Sequence, residues 1–111
     1  MSNLIEKPWG SEEILEINDS YVLKKLIMKK GHQCSLQYHE YKHETIYVVS
    51  GQLNIYYLDK WKVYYPGDVL VINPKDIHRM KAVDTDCVYL EASTTELDDV
   101  IRLEDDYRKI D

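Results

Sequence analysis

The stretch GHQCSLQYHEYKHETIYVVSG, which runs from Gly31 to Gly51, decides the interpretation of the whole chain. Its spacing is G-x5-Q-x-H-x4-E-x6-G, and its chemically capable members are Gln37, His39 and Glu44. Gln37 and His39 alternate along a predicted strand and therefore point to one face, since successive side chains of a strand point to opposite faces. Glu44 reaches the same region from the neighbouring predicted strand, after a short charged corner.

A second stretch, PGDVLVINPKDIH, spans residues 66–78 and ends on another histidine, His78. His78 belongs to a predicted strand that is distant in sequence from the first stretch. Imidazole nitrogens, a carboxylate and an amide oxygen suit a borderline or hard divalent ion such as Zn, Mn, Fe, Co or Ni. The sequence therefore predicts a divalent metal site inside a small β-barrel, with the ligands Gln37, His39, Glu44 and His78.

The rest of the chain predicts short β-strands separated by turn signals about every eight to twelve residues. This pattern is typical of an all-β sandwich or barrel. We therefore expect one domain over residues 1–111, with residues 1–7 as an N-terminal arm and residues 94–111 as a C-terminal tail. The tail is expected to hold at most a short helical turn, and the segment from Asp98 to Leu103 is also compatible with an extended backbone.

Residues 53–58 and 61–65 predict a β-hairpin that turns at Asp59-Lys60. Open sheet edges favour self-association, and most soluble oligomers are symmetric homo-oligomers. We therefore expect a homodimer, and alternate rings on this hairpin must point outwards, where they could supply the interface. The tyrosines concerned are Tyr56, Tyr57, Tyr64 and Tyr65.

The composition excludes several classes of protein. The formal net charge of -6 argues against nucleic acid, which requires a basic surface, and an anionic substrate would require cations gathered locally. No apolar run approaches the roughly 20 residues that cross a bilayer, so no membrane partner is expected. Cys34 and Cys87 follow no apolar signal segment, which predicts reduced thiols in a cytoplasmic protein.

The two stretches resemble the paired motifs of the cupin superfamily. Within it the chain is similar to the C-terminal (type II) mannose-6-phosphate isomerase domain of bifunctional mannose-6-phosphate isomerase/mannose-1-phosphate guanylyltransferases. The resemblance implies a small double-stranded β-helix, or jelly-roll, barrel. The segments that carry it are Lys7-Pro8-Trp9-Gly10, Ser35-Leu36-Gln37-Tyr38-His39, Val48-Val49-Ser50-Gly51, Pro66-Gly67-Asp68, His78-Arg79 and the run from Asp98 to Tyr107.

The chain departs from the family pattern at defined positions. Gln37 stands where the family has its first metal-binding histidine, and Asn73 and Lys75 stand where it has proline and glycine. His39 is followed by Glu40-Tyr41-Lys42 rather than by further histidines and an arginine. The sequence contains no counterpart of the nucleotidyltransferase part, so guanylyl transfer is not expected of it.

The resemblance implies isomerisation of mannose 6-phosphate to fructose 6-phosphate, in nucleotide-sugar or polysaccharide synthesis. Glu91 is the preferred base, with His43 as the second candidate. Arg102 is the leading ligand for the phosphate, because its planar fork matches phosphate oxygens, and it could alternatively polarise the reacting end. Further candidates for the phosphate are Lys42, Lys7 and Arg79.

Two other functions remain open, because cupins carry many activities on one fold. The first is a cupin that binds a sugar or metabolite without turning it over. The second is a cupin enzyme of other chemistry, such as an epimerase or a dioxygenase.

Overall fold

The computed structural model describes residues 3–109, and within that range it contains eleven β-strands and no helix. The strands are β1 (Asn3–Lys7), β2 (Gly10–Ile17), β3 (Val22–Met28), β4 (Leu36–Tyr38), β5 (Glu44–Ser50), β6 (Leu53–Tyr57), β7 (Lys60–Tyr64), β8 (Val69–Ile72), β9 (His78–Lys81), β10 (Cys87–Ser93) and β11 (Ile101–Glu104). Accordingly, no helix of this range is long and apolar enough to cross a membrane.

The strands form two antiparallel sheets that enclose one core. One sheet has the order β1-β2-β3-β10-β5-β8 and the other has the order β11-β4-β9-β6-β7. Burial alternates strictly along β3, because its odd and even residues face opposite sides of the sheet. The all-β jelly-roll prediction is confirmed. The buried core consists of Leu26, Met28, Cys34, Ile46, Val48, Leu53, Ile55, Tyr64, Ile72, Met80, Ala82, Cys87 and Tyr89.

The two ends of the described chain are more ordered than the sequence suggested. Residues 3–7, expected to be an arm, form the edge strand β1, which pairs with β2 over its whole length. In the expected tail, residues 97–98 form a turn, and only from Ile101 is the chain extended, where β11 pairs with β4. Both segments gain backbone hydrogen bonds from a neighbouring strand, which hydrophobic periodicity alone does not reveal. Residues 1–2 and 110–111 of the two segments lie outside the described residues.

The predicted hairpin is formed by β6 and β7, with its turn one residue earlier than expected. Leu58 and Asp59 both have positive φ angles, 53° and 64°. This is the conformation of a type I′ turn, whose twist matches that of the flanking strands.

The hairpin tyrosines do not all face outwards. Tyr64 is buried in the core, and the hydroxyl of Tyr57 donates a hydrogen bond to Asp76. Tyr56 packs its ring 5.6 Å from that of Trp61, and Tyr65 is exposed. The homodimer stays a prediction, and of the four proposed tyrosines only Tyr65 is exposed, while Tyr56 and Tyr57 are half-buried.

Candidate functional site

The side chains of His39, Glu44 and His78 converge, as the sequence predicted. Their ligand atoms all lie within 4.8 Å of one another. The Nε2 atoms of His39 and His78 each lie 3.2 Å from Oε1 of Glu44. The three residues are at most 2% exposed. His39 directly follows β4, Glu44 begins β5 and His78 begins β9. Two sheets therefore contribute to one compact donor set.

Main-chain carbonyls fix the orientation of both imidazoles. Nδ1 of His39 lies 2.5 Å from the carbonyl oxygen of Asp99, and Nδ1 of His78 lies 2.9 Å from that of Asp76. A carbonyl can only accept a hydrogen bond, so each Nδ1 carries the proton. When the rings are neutral and an ion is bound, each Nε2 would present its lone pair to it, as in metal-binding histidines; otherwise Nε2 of His39 can donate to Glu44 Oε1, 3.2 Å away.

The Nε2 atom of His78 has no hydrogen-bond partner among the described residues, which indicates that the set of His39, Glu44 and His78 is suited to an ion. Although it is 3.2 Å from Glu44, the direction does not allow a hydrogen bond, and this buried atom has no other partner in the described chain. Buried polar atoms are rarely left unsatisfied, since the desolvation of each one is unfavourable. A divalent cation between the two imidazoles and the carboxylate would satisfy it. The residues present therefore fit a metal ion.

Gln37 lies beside this donor set. Its strand β4 pairs with β9 at His78 and with β11 at Arg102, and its side chain lines the same cavity. Its Oε1 atom accepts a hydrogen bond of 2.5 Å from the Ser35 hydroxyl. The amide is therefore positioned near the site, but its oxygen is already partly engaged.

The buried Lys42 links the carboxylate of Glu44 to a second carboxylate, that of Glu91. Nζ of Lys42 lies 3.7 Å from Glu44 Oε2 and 3.7 Å from Glu91 Oε1. Burial, reinforced by the charge of Glu44, raises the pKa of Glu91 to about 8. Burial would also raise the pKa of Glu44, but the hydrogen bond from His39 and the charge of Lys42 outweigh it, so that pKa lies well below its usual value. Glu44 is therefore ionised, as a metal ligand must be.

A cavity of about 140 Å³ opens beside these groups. Its charged lining gathers five cations and four carboxylates from a chain whose overall charge is -6. With every carboxylate counted as ionised, the formal excess of one positive charge would become three with a divalent ion, which is the local accumulation that an anionic substrate requires. The cations are Lys7, Lys24, Lys42, Arg102 and Arg108, and the carboxylates are Glu12, Glu44, Glu91 and Asp105.

Three of the residues predicted from the sequence do not line this cavity. The first is His78, which is fully buried and lies against Glu44. Arg79 is buried elsewhere, where its Nε donates to the carbonyl of Cys34 (2.9 Å) and its Nη2 to that of Glu104 (3.3 Å). It thus ties β11 to the barrel. His43 is also absent from the lining, and its backbone pairs with Thr94.

The structure adds three residues that the sequence analysis missed. The Asp99 carboxylate accepts hydrogen bonds from the main-chain N–H groups of residues 40–42, and these bonds, that from Tyr41 above all, lower the pKa of Asp99. The buried Lys24 and the half-buried Glu12 form an ion pair in the cavity wall. A lysine on the apolar face of β3 was a signal for this pair, whereas nothing local marks Asp99.

Comparisons with known proteins agree with this architecture. The family model described as a cupin domain matches residues 25–93. KdgF from Halomonas sp. superposes with a TM-score of 0.79 at 18% identity, covering 86% of this chain and 90% of that chain. At this identity the likeness shows the fold alone.

The sequence relatives confirm the resemblance to the bifunctional enzymes. Over 114 residues the chain is 25% identical to mannose-1-phosphate guanylyltransferase ManC of Salmonella typhimurium, which covers 99% of this chain and 24% of that protein. Over 107 residues it is 27% identical to the alginate biosynthesis protein AlgA of Pseudomonas aeruginosa, covering 93% of this chain and 22% of that protein. The chain thus spans about a quarter of the length of these relatives. Since the family model covers more than half of its residues, the chain belongs to the cupin family.

Proposed function

We propose that this cupin is a metal-dependent sugar-phosphate isomerase of the mannose 6-phosphate to fructose 6-phosphate type, acting in nucleotide-sugar or polysaccharide synthesis. The observation that carries the proposal is the buried set of His39, Glu44 and His78 beside a cavity that also holds Glu91 and several cations. The similarity to proteins named for mannose-1-phosphate and alginate supports a sugar phosphate as the substrate.

His39, Glu44 and His78 would hold the ion, with Gln37 as a weak fourth ligand or as an orienting group. When bound, a divalent ion supplies Lewis acidity that stabilises negative charge developing on the sugar oxygens. The chain contributes a rigid, almost fully buried donor set whose imidazoles are held by main-chain carbonyls.

Glu91 is the group we assign to the proton transfer. Isomerisation removes a proton from C2 and returns one to C1, so a base must reach both carbons. The carboxyl group of Glu91 is buried, lines the cavity and lies 3.7 Å from Lys42. Lys42 contacts Glu44 at the same distance, so it holds the two carboxylates in a fixed relation. We therefore assign Lys42 to positioning rather than to the phosphate.

Arg102 and Lys7 are the cations we assign to the phosphate. Both line the cavity and also an adjoining groove, whereas His39 and Glu44 line only the cavity and His78 lines neither. The Arg102 guanidinium lies 3.9 Å from Asp105 and its side chain is 34% exposed, so a ligand can reach it. This arrangement separates the anionic end of a substrate from its reacting end.

The test is a coupled assay of fructose 6-phosphate formation from mannose 6-phosphate, with the chain loaded with each candidate metal. We expect turnover that a chelator abolishes and added metal restores. His78→Ala should remove it, whereas His43→Gln, a matched change outside the cavity, should retain it. Absence of turnover with every metal, or full activity in His78→Ala, would refute the isomerase proposal.

One observation favours a second candidate, a cupin that binds a sugar phosphate without turnover. Gln37 replaces a histidine and shares its oxygen with Ser35, which leaves three strong ligands for the ion. Saturable binding of mannose 6-phosphate in calorimetry, together with no turnover in the coupled assay, would select this candidate.

A further inference from the structure

Lys24 is a buried cation that faces the cavity. It lies on β3, is 6% exposed and lines both the cavity and the adjoining groove. Its Nζ atom is 3.4 Å from Glu12 Oε2, and Glu91 is its cross-strand partner on β10. Lys24 therefore stands between the proposed base and the groove.

Two of the other cations named for an anion, Lys42 and Arg79, are less available than Lys24. Lys42 is shared between two carboxylates, and Arg79 is bound to main-chain carbonyls outside the cavity. An ammonium group has three donors, and within the described residues Glu12 is the only ionic partner of Lys24 inside 4 Å. Because Lys24 lines the cavity and the groove, an anionic ligand held there could accept hydrogen bonds from its remaining donors.

The charge of the residues that line both the cavity and the groove, here called the junction, also favours an anionic ligand. The residues that line both include three cations and a single carboxylate. The junction therefore carries two excess positive charges, although the chain as a whole is acidic. The charged residues concerned are Lys7, Lys24, Arg102 and Glu12.

We propose that Lys24 binds the anionic, phosphoryl group of the ligand, and that Glu12 is the internal counter-ion that this group displaces. The inference deepens the proposed function, because it takes a sugar phosphate as the ligand. It assigns the phosphate to the junction of cavity and groove, where Lys24 acts together with Lys7 and Arg102.

Displacement of a counter-ion predicts opposite effects for the two partners. Lys24→Met removes a donor to the phosphate and should weaken binding. Glu12→Gln removes the competing carboxylate and should strengthen it. A pair that serves only the stability of the barrel would lower stability in both variants without strengthening binding in either.

The experiment is calorimetric titration of the full chain, metal-loaded, with mannose 6-phosphate and separately with inorganic phosphate. We expect Lys24→Met to weaken both by about tenfold or more, Lys24→Arg to recover most of the affinity, and Glu12→Gln to tighten both several-fold. The matched control is Lys25→Met, the next residue of β3, which lies on the opposite face and should leave both affinities unchanged.

Equal affinities in Lys24→Met and the wild type would overturn the inference, as would weaker binding in Glu12→Gln. Thermal melts establish whether each variant is folded, and if Lys24→Met is not, Lys24→Arg and Glu12→Gln decide. Because inorganic phosphate is not turned over, loss of phosphate binding in Lys24→Met supports the inference even if the isomerase assay fails. Conversely, turnover with an unchanged KM in Lys24→Met would retain the isomerase and reject the inference.

Discussion

The imidazole of His39 donates its Nδ1–H to the main-chain carbonyl of Asp99, at 2.5 Å across 60 residues of sequence. The carboxylate of the same aspartate accepts three main-chain N–H groups of the corner that follows His39. One residue therefore fixes both the direction of a metal-type nitrogen and the backbone beside it. Such supporting contacts around a metal ligand typically govern affinity as strongly as they govern geometry.

We expect Asp99→Ala to lower the affinity for a divalent ion by about 10- to 100-fold, because the corner and the carbonyl that orients His39 lose their anchor. The measurement is a competition titration with a metal indicator. Asp98→Ala, a neighbouring acidic residue that is exposed, is the control and should bind the metal normally. Unchanged affinity in Asp99→Ala would show that the corner holds its shape without this carboxylate.

Replacing Gln37 by histidine should raise the affinity for Zn²⁺ by roughly an order of magnitude, because imidazole is a stronger ligand than an amide oxygen. Gln37 already lies opposite His78 in the β4–β9 pair and lines the cavity, so the new ring needs little rearrangement. The same competition titration provides the measurement. Weaker binding in Gln37→His would indicate that residue 37 does not face the ion.

Lys75→Gly should stabilise the fold by about 1 kcal/mol, since Lys75 has a φ of 73°, a conformation that is strained for residues with a Cβ atom. Lys75 stands where the cupin motif that it resembles has glycine, so a lysine here adopts a positive φ angle that suits glycine better. Urea denaturation followed by circular dichroism measures the change. Lys29→Gly, in a turn without positive φ, should instead destabilise by about 0.5–1 kcal/mol.

Cys34 and Cys87 should resist alkylation in the native protein. Both are free and buried, and burial raises the pKa of each thiol to about 11. At pH 8 the thiolate fraction is then about 0.1%, roughly 100-fold below that of a thiol with a pKa of 9. Iodoacetamide labelling followed by mass spectrometry should modify neither residue until the chain is unfolded, and rapid native labelling would contradict the burial.

Much of the site could be predicted because it depends on local periodicity. His39 was identified by alternation with Gln37 along β4, and Glu44 by its place after the short corner before β5. His78 was identified by the second motif. The same rule contained signals that the sequence analysis did not use. Arg79 directly follows His78, so the two must face opposite sides, and Lys24 shares a face with buried apolar residues of β3.

Other features depended on contacts between distant segments and had no local signal. The bond from His39 to Asp99 requires the segment before β11 to lie against the end of β4, and no spacing in the sequence encodes that approach. The terminal strands β1 and β11 are likewise set by pairing with a neighbour.

The sequence by itself predicted the strand pattern, because the two-residue period of a strand fixes which side chains share a face. Its paired motifs predicted His39, Glu44 and His78 as ligands, and their resemblance to cupins implied the jelly-roll class. The tertiary structure alone decided which charges meet in the cavity. It placed Lys42 between two carboxylates, Lys24 beside Glu12 and Arg79 outside the site. The reason is that sheet order and register bring together residues that are far apart in the chain. A shift of one residue in the register of a strand would move its cavity-facing side chains to the opposite face of the sheet.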